Sequence, residues 1–266
     1  MRRLAVFALL LASASWSQMP GIFFASNNAS GLVGWWKLCG DASVGGNCSA
    51  STSTTVADSS YYGNAGTWSG TAGGTTGYYA AGNVGPWSGY FNPTLSNYVV
   101  AGSTNTALAG SFSMSAWVNF ANVGGAYREM IVTRNDASNS APNAYFWYGD
   151  SASSLYAGRL VCGFRNAANS AYLDHAALWS PTAGTWYYVA CVLDSTAKTI
   201  SMYVNGVLLS SQSESNLPYA AGTQSVYIGG HPGGTTVHFN GAINDVRIYG
   251  RSLSAQEIAA MYKVHN

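Results

Sequence analysis

The chain carries ten carboxylate and four imidazole side chains, and their spacing decides which reactions are open to it. Glycoside hydrolysis needs two carboxylates flanking the scissile bond. There are three glutamates: Glu257 lies in the S-x-x-E run begun by Ser254, Glu214 in the polar stretch QSESN, and Glu129 alone in a strand-like segment. The nearest acid along the chain from Glu129 is Asp136, beyond the end of that segment. His175, His231, His238 and His265 are scattered and form no H-E-x-x-H pair. Neither G-x-S-x-G nor a lysine-bearing phosphate loop occurs, since GTWSGTAGG is glycine-rich without the lysine. The expectation is a chain that is not an enzyme, with no catalytic residues.

Binding chemistry has more support. A sugar presents an apolar C–H face and a rim of hydroxyls, so its site wants aromatic rings beside planar polar groups. Tyr145-Phe146-Trp147-Tyr148 alternates along one strand-like run, which places Tyr145 and Trp147 on one side. Arg165, Asn166, His175 and Trp179 fall in neighbouring strands or loops if consecutive strands pair in order. Together these six are the candidate glycan-binding residues, against the alternative that the aromatics pack a sandwich core. One acid is oddly placed: Asp245 stands among Ile243, Val246, Ile248 and Tyr249, in a strand-like run where aspartate is depleted.

The elements that must position these residues are mostly strands. Phe112, Met114, Ala116, Val118 and Phe120 alternate with Ser113, Ser115, Trp117 and Asn119, which predicts a half-buried strand. WYYVACVL, from Trp186 to Leu193, is apolar on both faces and should be central and covered on both sides. Asn205-Gly206 between two apolar runs predicts a two-residue hairpin turn. Trp35 and Trp36 must point to opposite faces of the first strand. Ser254 and Glu257 form a capping box ahead of Ile258, Met261 and Tyr262, which predicts a short C-terminal helix. A dozen or so short strands with turn signals between them argue for an all-β, two-sheet antiparallel β-sandwich.

Composition limits the setting. The chain is 8% charged with a formal net charge of +1, so nothing attracts nucleic acid. Met1-Arg2-Arg3, the apolar run LAVFALLLA and the small residues after it read as a secretory leader over residues 1–17. Residues 18–30 form a lead-in, and residues 31–266 one domain. The expected location is secreted or extracytoplasmic, with no membrane insertion once the leader is removed. Four cysteines allow three pairings. Cys39 and Cys48 bracket a glycine-rich loop, while Cys162 and Cys191 lie in strand-like runs, so Cys39–Cys48 and Cys162–Cys191 are the expected disulfides.

The order GLVGWWKL, DSSYYGNAGTW, GYFNPTLSNYVV, FSMSAWVNF, GTWYYVACVLD, ISMYVNGVLL, SVYIGG and FNGAINDVRIYGRSLSAQEI resembles the laminin-G-like, concanavalin A-like jelly rolls of secreted proteins. The resemblance implies a calcium ion between an early turn and the last long strand. Mapped here, Asp58 and Asp245 would supply carboxylates, and Gly63 and Asn64 carbonyls, to a structural Ca2+. The jelly-roll glucanases of this group carry E-x-D-x-x-E on one strand, and no such spacing exists here. The expected function is a non-catalytic module binding a glycan or a cell-surface glycoconjugate. The alternatives are a structural surface or matrix protein that binds another protein, and a hydrolase or lyase on the same fold.

Overall fold

β-Branched and aromatic residues fill the strand positions, and glycine, asparagine and serine fill the turns. A computed structural model describes residues 31–38, 54–102, 110–125, 128–135, 144–150, 155–165, 172–216, 225–232 and 237–264. The leader and lead-in, Cys39, Cys48 and Asn166 lie outside the described residues. The strands are β1 (Leu32–Trp36), β2 (Thr55–Val56), β3 (Gly66–Ser69), β4 (Tyr79–Ala81), β5 (Trp87–Phe91), β6 (Tyr98–Ala101), β7 (Phe112–Phe120) and β8 (Arg128–Asn135). They continue with β9 (Ala144–Gly149), β10 (Arg159–Arg165), β11 (Tyr172–Leu178), β12 (Trp186–Asp194), β13 (Thr199–Val204), β14 (Val207–Ser213), β15 (Ser225–Ile228) and β16 (Gly241–Tyr249). Helix α1 (Ala255–Val264) closes the chain.

Two antiparallel sheets result. The first runs β14-β13-β12-β7-β16-β5-β4, with β1 also paired to β16; the second runs β11-β10-β9-β8-β15-β6-β3-β2. Between them lies a core that includes Trp36, Phe91, Phe112, Phe120, Phe146, Phe164 and Phe239. The Cys162–Cys191 disulfide crosses that core and ties β10 of the second sheet to β12 of the first. Asn205 and Gly206 both have positive φ, 51° and 78°, as the hairpin turn between β13 and β14 requires.

One expectation needs correction. β7 is not half-buried, because its second face, with Ser113, Ser115 and Trp117, is buried too. Trp117 packs with Tyr188, Leu253 and Ile258 where α1 lies against the outer side of the first sheet. Ser113 anchors the approach to that helix: its Oγ donates to the Arg251 carbonyl and accepts from the Leu253 amide, each at 2.9 Å. The capping box forms as expected, with Glu257 N–H donating to Ser254 Oγ and Ser254 N–H to Glu257 Oε2. β12 is covered on both sides, by the core and by the packing beneath α1.

The key splice is in β16. Its first residues pair with β5 and its last with β1, while β7 runs along the opposite edge. The register against β7 shifts between Asn244 and Arg247, and Asp245 takes a φ of 52°. This is a β-bulge, which accommodates one extra residue and tolerates the left-handed conformation that aspartate accepts better than most residues. Asn244 bridges the gap. Its amide donates to the Lys37 and Trp87 carbonyls, and its Oδ1 accepts from the Asn83 and Val84 amides. Asn244→Ala removes four hydrogen bonds at a fully buried point and should lower the unfolding free energy by about 3 kcal/mol. Urea denaturation measures it, and a loss below about 1 kcal/mol would show that the splice does not depend on this amide.

Candidate functional site

Strand register decides which of the expected glycan-binding residues meet. On β9, Tyr145 and Trp147 point away from the core, while Phe146 and Tyr148 enter it. Tyr145 lies opposite Gly163 and Trp147 opposite Val161 on β10, and Gly163 lies opposite Asp174 on β11. Gly163 is required here, since a Cβ would strike the Tyr145 ring and the Asp174 carboxylate. With that space open, the Tyr145 hydroxyl donates to Asp174 Oδ1 and the Tyr156 hydroxyl to Asp174 Oδ2. Burial and the neighbouring carboxylate push the Tyr145 phenol far above its ordinary pKa, and the same causes push Tyr156 up to about 12. Both remain protonated donors at neutral pH.

A second tier covers the first. Trp147 is 4% exposed, edge-on to Tyr156 and beneath the Arg128 guanidinium, which lies 5.4 Å from the ring centroid. Tyr145 is tilted against Tyr172, and Arg165 stacks 4.2 Å over the Tyr172 ring while donating to its hydroxyl at 2.7 Å. Solvent therefore meets Tyr156, Tyr172, Asp174, Arg128 and Arg165, with Tyr145 and Trp147 as their support. Tyr172 and Asp174 alternate on β11, a period-two signal present in the sequence. Tyr156 reaches the face from a loop, which no periodicity marks.

His175 and Trp179 are not on this face. His175 points inward on β11, where its Nδ1 lies 3.0 Å from Gln212 Oε1 on β14, so it joins the two sheets along their shared edge. Burial pulls its pKa below the ordinary histidine value. Trp179 packs edge-on against Phe120, Tyr148 and Tyr187.

The oxygens expected to hold calcium are committed elsewhere. Asp58 Oδ1 accepts from the Trp35 and Ser60 amides, and Oδ2 from Ser60 Oγ and the Asn64 amide, at 2.7–2.8 Å. The Asn64 carbonyl accepts from the Trp36 indole, and the Gly63 carbonyl from the Ala65 amide. Asp245, 1% exposed, accepts from the Trp35 indole at 2.6 Å and pairs with Arg247 at 3.0 Å. The two aspartates do converge, on the backbone and the side chain of one residue, Trp35. Even so, they do not fit a calcium ion. Donor hydrogens fill the roughly four acceptor positions of Asp58, and a guanidinium stands where a cation would be repelled. Among the described residues, no cluster of three or more histidine, cysteine, aspartate or glutamate side chains could hold a metal.

Glu129 has a different acidic neighbour from the one expected by sequence distance. It lies on β8 opposite Tyr148, is 1% exposed, and accepts from the Asn240 amide. Burial, followed by the charge of the fully buried Asp150, pushes its pKa up to about 8 against the pull of the Asn240 amide. Close by, burial and then His238 and Arg128 lower His231 to about 4.

The sequence matches the family model of the concanavalin A-like lectin/glucanases superfamily over residues 93–259, more than half of the chain. No curated protein sequence matches it. The fold is similar to domain 4 of AbnA, a GH43 extracellular arabinanase from Geobacillus stearothermophilus, solved in complex with arabinotriose. Identity is 19% and the TM-score 0.61, over 87% of this chain and 98% of that one. It is also similar to the receptor binding domain of botulinum neurotoxin D (12% identity, TM-score 0.60, 90% of this chain and 54% of that one). A third similar structure is the binding domain of botulinum neurotoxin DC in complex with SialylT (13% identity, TM-score 0.58, 91% and 53%). The chain thus spans about half the length of the toxin domains. At these identities the likeness is one of fold.

Two measurements check this account. Chelation with EDTA should leave the melting temperature unchanged, whereas a fall reversed by calcium would restore the ion to the Asp58–Asp245 region. For Glu129, an ordinary pKa of 4.5 and a folded value of about 8 mean that the unfolded chain ionises first, so stability is lost as pH rises between them. His231 acts oppositely, losing stability as pH falls from 6.5 toward about 4. From pH 6.5 to 8 Glu129 dominates, at up to about 1.4 kcal/mol per pH unit. Urea unfolding should show that decline in the wild type and a flatter profile in Glu129→Gln; equal slopes would contradict it.

Proposed function

The chain belongs to the concanavalin A-like lectin/glucanases superfamily, and from that footing we propose that it is a secreted, non-catalytic module that binds a glycan or a cell-surface glycoconjugate. The observation that carries this reading is the outer face of the second sheet, where Tyr156 and Tyr172 stand beside Asp174, Arg128 and Arg165 over a buried aromatic layer. Aromatic faces suit the C–H side of a sugar ring, and planar charged groups suit its hydroxyls. The scaffold is preorganised: Asp174 is held by two phenols, and Trp147 and Tyr145 are already packed, so little side-chain entropy would be lost on binding.

Three further points support it. Glu129 and Asp150, whose charges interact, are both buried, which does not suit a pair flanking a glycosidic bond. The leader-like residues 1–17 and the Cys162–Cys191 disulfide both suit an oxidising compartment. Domain 4 of the arabinanase, matched along 98% of its length, was solved with arabinotriose, which supports a glycan as the ligand here.

A glycan array probed with the purified protein tests the proposal. Specific binding to a set of glycans is expected, weakened at least about tenfold by Tyr172→Ala, since truncating a contact aromatic commonly costs more than 1 kcal/mol. Binding that Tyr172→Ala leaves intact would move the site elsewhere. Capture of a surface protein without any glycan binding would favour the structural or adhesion alternative.

A further inference from the structure

We propose that the outer face of the second sheet selects anionic sugars, with Arg128 and Arg159 holding the acidic group; the inference rests on the glycan-binding reading and narrows it to a substrate class. Only 8% of the residues are charged and the net charge is close to zero, so charge is sparse and its placement is informative. Away from this face, Arg247 is matched by Asp245 and Arg251 by Glu257. On this face the described charged side chains are Arg128, Arg159 and Arg165 against the single carboxylate of Asp174. Both oxygens of that carboxylate already accept tyrosine hydroxyls.

The register sets the geometry. Arg128 on β8 and Arg159 on β10 both lie opposite Gly149 on β9. Two strand spacings put their backbones about 10 Å apart. The Tyr156 backbone rests over Gly149, between them. Arg128 is exposed and anchored over the Trp147 ring, while Arg159 is half-buried with Nη1 toward the Ala176 carbonyl. Guanidinium groups form paired hydrogen bonds with planar oxyanions, so either of the two can take a carboxylate or sulfate carried by a sugar. The sugar ring would then lie along Tyr156. Glu129 and Asp150 face the interior and leave the outer side positive.

Calorimetric titration with a galacturonate trisaccharide, a sulfated dextran fragment and neutral arabinotriose tests this at low salt and at about 0.5 M salt. At least one acidic ligand should bind tenfold or more tightly than arabinotriose at low salt, and the advantage should shrink at high salt. Which acidic ligand binds assigns carboxylate or sulfate. Arg159→Ala should remove most of the advantage while leaving arabinotriose binding and the melting temperature unchanged, and Arg128→Ala should weaken the acidic ligand more than it weakens arabinotriose. Equal binding of acidic and neutral sugars, or equal loss for both in the variants, overturns the anionic preference and leaves the glycan-binding proposal standing. Failure of every sugar to bind overturns both.

Discussion

The fold depends on a single strand exchanging partners in mid-course. β16 must pair with β7 along one edge while its other edge passes from β5 to β1, and a regular ladder cannot do that without leaving backbone groups unpaired. The bulge at Asp245 supplies the extra residue, and the Asn244 amide supplies the missing donors and acceptors. With the splice closed, β1 is held on β16 and places Trp36 in the core and Trp35 outside it. Trp35 then receives both aspartates, Asp58 on its amide and Asp245 on its indole. The early turn, the first strand and the last strand become one rigid corner through hydrogen bonds.

The same economy of charge shapes the rest of the molecule. A buried aspartate is costly unless paired, and Asp245 is paired with Arg247 two residues along the same strand. Glu129 shows no such cation among the described residues, and burial raises its pKa toward the protonated form. On the second sheet Arg128 and Arg165 face outward over aromatic rings that hold them in place. The first sheet uses Ser113 and Asn244 to hold the helix and the splice, while the second buries Glu129 and His175 and turns Asp174, Arg128 and Arg165 outward.

Much of the architecture was legible along the chain. Alternation in Phe112–Phe120, two-sided apolarity in Trp186–Leu193, the Asn205-Gly206 turn and the Ser254–Glu257 cap are local signals, each set by backbone geometry or by the next few residues. The Cys162–Cys191 pairing was legible as well. The face shared by Tyr145, Trp147 and Arg165 followed from period two and consecutive pairing. His175 was misplaced because a single step in strand parity moves a side chain from one face to the other. Trp179 was misplaced because it lies just past the end of β11, where alternation no longer applies. Arg128 and Tyr156 were missed because one lies across β9 from β10 and the other arrives from a loop.

The amino-acid sequence by itself determined the all-β sandwich, its turns, its terminal helix and the scarcity of exposed charge, because these arise from periodicity, backbone preference and composition. Only the tertiary structure decided what the acids do. Asp58, Asp245, Asp174 and Glu129 carry the same chemical group, yet they serve a turn, a bulge, a cluster of tyrosine hydroxyls on an outer face and a buried interior. The difference lies in which donors reach each carboxylate across distances of up to 210 residues along the chain, as in the bond from the Trp35 indole to Asp245. No local pattern records those contacts.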